Sequence, residues 1–242
     1  MQYSKISVII VCRNVGDQLT ATIDSIYNQK YSNIELIVVD GASTDNTIEV
    51  ICQNAFKISK WISEPDKGIY DAMNKGLRMA TGEWVSFINV GDSFADDDVI
   101  LDIFGQGQIP EHVKLIGGNT CNYFPDGHVE MHYAERADVI PYRLPFSHQA
   151  CFTRRELIKD HGSFQFDCQY RFAADYNLFY NIYHKFGTSA IMVIDRAIAR
   201  YKQEGSTSLI NYRKAKKEYL KIQSAHPNMI WLKEVVKYFL GK

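Results

Sequence analysis

Two stretches hold most of the side chains that could do chemistry. The first, Ser63-Glu64-Pro65-Asp66-Lys67-Gly68-Ile69-Tyr70-Asp71-Ala72-Met73-Asn74-Lys75-Gly76, reads as a turn opening a polar helix. The second, Phe87-Ile88-Asn89-Val90-Gly91-Asp92, reads as an apolar strand that stops in an acidic loop. Strand ends along one edge of a parallel sheet are where α/β proteins bind ligands. An Asp at such an end can hold a divalent cation on a phosphorylated substrate. That combination suits a sugar carried on a nucleoside diphosphate.

The elements that must position these residues follow from periodicity. Residues 6–11 are a continuous, mostly β-branched run, as in a strand buried on both faces. Gly16-Asp17 leads into a helix over 18–28 with Leu19, Ile23 and Ile26 on one face. A second buried strand over 34–39 ends at Asp40-Gly41, and Ser43 or Thr44 can cap a helix over 45–55. A short strand over 57–62, a helix over 68–80 closed by Gly82, and a strand over 84–89 complete the alternation. This order predicts a doubly wound parallel sheet. Its strand ends, near Arg13, Asp40, 64–66 and Asp92, then share one edge. Beyond about residue 105 the pattern turns mixed: short strands over 115–118, 121–124, 129–133, 150–153, 190–193 and 198–201, and helices over 155–160, 172–184, 209–224 and 229–240.

Composition narrows the function class. With 242 residues, 46% hydrophobic, and a net charge of −1, this is an ordinary globular chain, and nucleic acid is not an expected partner. Residues 211–242 are the exception, with eight Lys/Arg against two Glu, a basic end suited to anionic lipid. The five cysteines are scattered and form no CxxC pair; Cys12 and Cys151 sit in apolar runs and read as core residues. No signal peptide and no membrane-spanning run are legible, so a cytoplasmic location is expected. His128 and His132 fall in a probable hairpin without a third ligand, which argues against zinc. No GxGxxG follows the first strand and no GxxxxGK[ST] occurs, which disfavours dinucleotide binding and a P-loop hydrolase.

The consecutive motifs Val8-Ile9-Ile10-Val11, Val38-Val39-Asp40-Gly41-Ala42-Ser43-Thr44-Asp45-Asn46-Thr47, Asp66–Gly76, Thr81-Gly82-Glu83-Trp84 and Phe87–Asp92 resemble glycosyltransferase family 2. They are especially similar to its branch in bacterial capsule, colanic-acid and O-antigen assembly. The resemblance is dense over residues 5–100 and returns at Ser147-His148-Gln149-Ala150, Phe172–Tyr176 and Gly205–Ser208. It implies an α/β GT-A fold: a Rossmann-like, mostly parallel central sheet flanked by helices, with a mixed acceptor-side half. It also implies a nucleotide-sugar donor, Mn²⁺ or Mg²⁺, inversion at the anomeric carbon, and a saccharide or lipid-linked saccharide acceptor.

Carried onto this sequence, Asp92 takes the metal position and Asp175 that of the catalytic base. Asp40 and Asp66 fall to the nucleoside, with Arg13, Lys67, Asn74, Asn89 and Gly91 completing the donor set. His148, Gln149, Ser206 and Ser208 fall on the acceptor or diphosphate side. The usual acidic triplet is reduced here to a single carboxylate in Asn89-Val90-Gly91-Asp92, and the usual double Asp to Asp40-Gly41. One carboxylate with phosphate oxygens and water is still a reasonable Mg²⁺ site.

Residues 1–208 are expected to form the transferase domain, with 1–105 as the donor half and 106–208 as the acceptor half. Residues 209–242 are expected to form basic amphipathic helices able to touch a membrane. Two other readings compete. A sugar-phosphate nucleotidyltransferase would need a Gly-rich, Arg-containing loop after the first strand, which Cys12-Arg13-Asn14-Val15-Gly16 does not supply. A non-catalytic nucleotide-sugar-binding subunit would bind the donor without turnover.

Overall fold

The computed structural model describes residues 4–159, 165–202 and 211–240. The apolar N-terminal run forms β1 (Ile6–Cys12), buried along its whole length. Side chains alternate across a strand, so Ile9 and Val11 enter one apolar cluster while Ile6, Val8 and Ile10 enter another. A strand with two apolar faces needs helices on both. The chain supplies them in order: α1 (Gln18–Tyr27), β2 (Ile34–Asp40), α2 (Thr47–Gln53), β3 (Lys60–Ser63), α3 (Ile69–Met79) and β4 (Trp84–Phe87). β1 pairs in parallel with β2 and β4, and β2 with β3. Leu19, Ile23 and Ile26 of α1 pack on one face of this sheet, and Ala72, Met73 and Leu77 of α3 on the other.

The second half continues the same sheet with changed directions. It comprises β5 (Ser93–Phe94), α4 (Val99–Phe104), β6 (Leu115–Tyr123), β7 (Val129–His132), β8 (Cys151–Arg154), α5 (Glu156–Lys159), α6 (Ala174–Phe186), β9 (Ile191–Lys202), α7 (Tyr212–Gln223) and α8 (Met229–Leu240). The strand order is β3-β2-β1-β4-β8-β6-β9-β5, with β7 on β6. β8 is antiparallel to both β4 and β6, whereas β6 and β9 run parallel. Cys12 and Cys151 are core residues, as expected.

The structure differs from the periodicity in three places. The two strands expected over 115–124 are one, β6, and the two expected over 190–201 are one, β9. Register shifts between Gly117 and Thr120 offset β6 against β9, which breaks the two-residue alternation a sequence reading relies on. The fourth strand stops at Phe87 rather than 89, releasing Asn89 into the following loop.

At the edge where the parallel strands begin, Glu35 is buried. It accepts from Ser7 Oγ at 2.7 Å and from both the amide and hydroxyl of Thr81 at 2.8 Å, and Lys60 lies 2.8 Å away. Burial alone would raise its carboxyl, but Lys60, Thr81 and Ser7 outweigh burial and hold it at about 2. This one side chain ties β1, β2, β3 and the turn before β4. The stabilisation is full above the ordinary value of 4.5 and is lost as pH falls towards 2. Glu35→Ala is expected to cost about 2–4 kcal/mol in urea unfolding at pH 7. The gap to the wild type should close as pH falls from 4.5 towards 2.

Candidate active site

At the opposite edge β1 and β2 end together, Cys12 beside Asp40. Asp40 is fully buried and its carboxylate is occupied by the protein. Oδ2 accepts from the Ser43 amide at 2.9 Å and from Ser63 Oγ at 2.6 Å, and Oδ1 from Ser43 Oγ. Through these donors Asp40, the residue expected on the nucleoside, braces the turn after β2. Gly41 follows where no side chain fits: a Cβ there would lie 2.2 Å from Oδ2 of Asp66 and 3.3 Å from Cδ of Arg13. Asp66 and Arg13 therefore converge over Gly41. The other oxygen of Asp66 accepts from the Gly68 amide at 2.8 Å, which fixes the start of α3.

A cleft of about 580 Å³ opens beside this, between the loop after β4 and the start of α6. On one wall stands Asp92, just before β5. The antiparallel pairing of Ser93 with Arg200 brings Asp92 against the end of β9, and its Oδ1 accepts from the Lys202 amide at 3.0 Å. Its Oδ2 accepts from Gln149 Nε2 at 3.1 Å. Thr22 of α1 pins the loop, donating to the Asp92 carbonyl at 3.0 Å and accepting from the Gly91 amide at 3.1 Å. Gly91 has φ +93°, a conformation side chains rarely adopt. Burial pushes the Asp92 carboxyl up to about 6; the Lys202 amide and Gln149 only partly offset it.

On the other wall stands Asp175, second residue of α6 and also buried. Its Oδ1 accepts from the Tyr176 amide at 2.8 Å and from Tyr70 OH at 3.3 Å, and its Oδ2 lies 3.3 Å from His148 Nδ1. The far nitrogen of His148, Nε2, meets Asn89 Nδ2 at 3.4 Å. Behind Asp175, Tyr176 stacks on Tyr219 of α7 with ring centroids 4.2 Å apart, and its hydroxyl donates to the Ile140 carbonyl at 2.8 Å. Burial, with the Asp175 charge, drives the hydroxyls of Tyr70 and Tyr219 well above their ordinary value. Both stay neutral donors.

The expected site residues thus fall into groups. Asn89, Gly91, Asp92, His148, Gln149 and Asp175 line one cleft. Arg13 and Asp66 meet over Gly41. Lys67 opens instead onto an adjoining hollow of about 500 Å³ with Tyr170, Arg171 and Phe172. Asn74 is buried and bound within the chain. Its two amide ends bind the carbonyl and amide of Phe166 at 2.8 and 3.0 Å, because α3 turns that residue inward. Phe166 in turn stacks on Tyr70, so Asn74 acts through two rings on the hydroxyl that touches Asp175. Ser206 and Ser208 lie outside the described residues. Tyr70 is the functional residue that sequence reasoning missed. Its position one helical turn before Asn74 was visible, but its partner is more than 100 residues away.

The expected divalent cation was tested against these residues. Asp92 is buried, each of its oxygens accepts one hydrogen bond from the described residues, and its carboxyl is displaced upward. Those are the properties of a ligand that gains from a metal. Among the described residues no group of three His, Cys, Asp or Glu could hold a metal ion. The protein would therefore supply Asp92, with the remaining ligands from diphosphate and water.

A cleft at the carboxyl edge of the parallel strands, with two buried carboxylates on facing walls, stands where α/β proteins bind ligands. The model of Glycosyl transferase family 2 matches residues 7–162, more than half of the chain, and the chain belongs to that family. A PGL/p-HBAD biosynthesis glycosyltransferase of Mycobacterium tuberculosis is 31% identical over 178 residues, 71% of this chain and 66% of the relative. The chain thus spans just under two thirds of that relative's length. Mannosyltransferase PcManGT from Pyrobaculum calidifontis, in complex with GDP-Man and Mn²⁺, matches with TM-score 0.72 and 17% identity over 98% of this chain and 70% of that one. S. aureus TarS 1–349 in complex with UDP-GlcNAc matches with TM-score 0.65 and 16% identity over 95% and 69%. At these identities the likeness shows the fold, and the fold is GT-A.

Because burial raises Asp92 from 3.8 to about 6, its charge opposes folding fully above pH 6, and the penalty fades as pH falls towards 4. Asp92→Asn is expected to raise stability by about 1–3 kcal/mol at pH 7.5, with no gain at pH 4. Mn²⁺ should raise the melting temperature of the wild type at pH 7.5 but not that of the variant.

Proposed function

We propose that this chain transfers a hexose-type sugar from a UDP- or GDP-sugar to a saccharide hydroxyl, with inversion, using Mn²⁺ or Mg²⁺ at Asp92. The observation that carries this reading is the pair of buried carboxylates on facing walls of one cleft. Asp92 is pushed up by burial, while Asp175 is gripped by neutral donors and a histidine. The first suits the leaving diphosphate and the second suits the acceptor.

In the reaction the acceptor hydroxyl gives its proton to Asp175 as its oxygen bonds to the anomeric carbon. The bond from that carbon to the diphosphate breaks, and the electron pair leaves with the nucleotide. A single displacement of this kind inverts the centre. A cation held at Asp92 would supply charge neutralisation for the departing diphosphate. Arg13 and Asp66, converging over Gly41, take the nucleoside end, and the Asp40 carboxylate keeps their floor in shape. Asn89 and Gly91 border the sugar. The hollow lined by Tyr170, Arg171 and Phe172 joins the cleft at Ile69 and Tyr70 and gives the acceptor an approach.

The motifs of the first hundred residues support bacterial surface-polysaccharide assembly, capsule or O-antigen, as the setting; the curated relative acts in PGL/p-HBAD biosynthesis. Residues 1–208 are read as the transferase domain and 209–242 as a basic appendage at the inner face of the membrane, where a lipid-linked acceptor would lie. No described helix is long and apolar enough to cross a membrane. α8, however, exposes Met229, Leu232, Val236 and Phe239 at three- and four-residue spacing, by 70%, 49%, 49% and 80%. Its other side is held to α7 through Trp231 Nε1 on the Leu220 carbonyl and Lys216 on Glu234. An apolar stripe next to Lys233 suits an anionic lipid surface.

Calorimetry with UDP, GDP, TDP and their common sugars, with and without Mn²⁺, should find metal-dependent binding of one nucleotide. Asp175→Asn should keep that affinity while transfer falls by about 10²–10⁴-fold; undiminished transfer would remove Asp175 as the base. The wild type should sediment with phosphatidylglycerol vesicles. The double variant Leu232→Asp, Phe239→Asp should do so at least about 10-fold less, and no sedimentation of the wild type would refute the lipid contact.

A further inference from the structure

We infer that His148 is the positioning residue of the transfer, presenting its Nδ1–H to Oδ2 of Asp175 and thereby making Oδ2 the atom that takes the acceptor proton. The inference rests on the reading of Asp175 as base and adds the residue and the atom that reading lacks.

The argument counts lone pairs. Oδ1 of Asp175 already accepts from the Tyr176 amide and faces the Tyr70 hydroxyl, which uses both of its lone pairs. Among the described residues Oδ2 faces only His148 Nδ1, at 3.3 Å, and keeps one lone pair toward them. The proton leaving the acceptor oxygen is therefore received at Oδ2. An unprotonated Nδ1 would set a lone pair against the carboxylate, so the proton of neutral His148 belongs on Nδ1. Nε2 is then an acceptor, and the Asn89 amide nitrogen lies against it at 3.4 Å. With both ring nitrogens engaged, His148 has no lone pair for the cleft and cannot itself be the base.

The same turn, His148–Ala150, carries Gln149 to Asp92, so the histidine is held in place from the donor side. The other titratable groups around Asp175 stay neutral: Tyr70 of α3 and Tyr219 of α7 are raised well above their ordinary value by burial, and Cys151 of β8 is likewise pushed up.

The test reads the imidazole directly. In the full chain labelled with ¹⁵N-histidine at pH 7.5, His148→Asn identifies the His148 signals by their loss. The expected spectrum is that of the Nδ1–H tautomer, displaced by Asp175→Asn and shifted towards mixed tautomers by Asn89→Ala. An Nε2–H tautomer, or signals unmoved by Asp175→Asn, overturns the proposal without touching the identity of the base. In turnover, His148→Ala should lower kcat by about 10–100-fold with donor affinity unchanged. His148→Asn places an amide N–H where Nδ1 was and should recover most of the loss; His148→Gln, whose amide reaches further, should not. An undiminished kcat in a His148→Ala protein that melts like the wild type refutes the role. A separate failure of Asp175→Asn to reduce transfer would instead refute the underlying reading.

Discussion

Two buried carboxylates on facing walls of one cleft set the terms for the rest of this molecule. Isolated buried charge is costly, so each has to be surrounded by donors that arrive from distant parts of the chain. Asp92 is served by β9 through Lys202 and by the turn at Gln149. Asp175 is served by α3 through Tyr70, by its own helix, and by the same turn through His148. One short turn therefore links both walls of the cleft. A shift of that turn by a fraction of an ångström would disturb both carboxylates at once.

The surrounding architecture serves those donors. The small strand β5 exists to bring Asp92 beside β9, and it contributes only two residues to the sheet. The antiparallel β8, wedged between parallel β4 and β6, delivers the turn that precedes it to the carboxyl edge. The Tyr176–Tyr219 stack and the Gln223 side chain, which donates to the Tyr176 hydroxyl at 3.0 Å, fasten α6 to α7 and so fix where Asp175 stands. Residues of α7 that never reach the cleft thus govern its width.

The donor half was legible in the sequence because its elements are local and doubly buried. The run of β1, the apolar stripe of α1 and the abrupt end of β4 each declare themselves within ten residues. The acceptor half was not, because its strands pair across long separations and its central pair slips register between Gly117 and Thr120. Site residues divide the same way. Asp92, Asp175 and the His148-Gln149 pair were recognisable as polar groups in motifs, yet which touches which depends on the paired strands. Asn74 looked like a donor contact because it lies on a polar helix, but the helix turns it inward to Phe166. Asp40 looked exposed at a strand end, whereas Ser43 and Ser63 close over it. Polarity revealed where chemistry is concentrated; only the tertiary fold sorted ligand-facing groups from bracing ones.

Asp66 and Tyr70 stand one helical turn apart at the mouth of α3, one leaning over Gly41 and the other against Asp175. The Gly68 between them has φ +124° and opens the helix. Mechanically this makes residues 66–70 a short lever with its pivot at a glycine. Its outer arm leans over Gly41 and its inner arm grips the Asp175 carboxylate. Load on the first is felt at the second across a handful of bonds. Under the proposed transfer, a contact made at Asp66 and the proton received at Asp175 share this one short stretch of backbone.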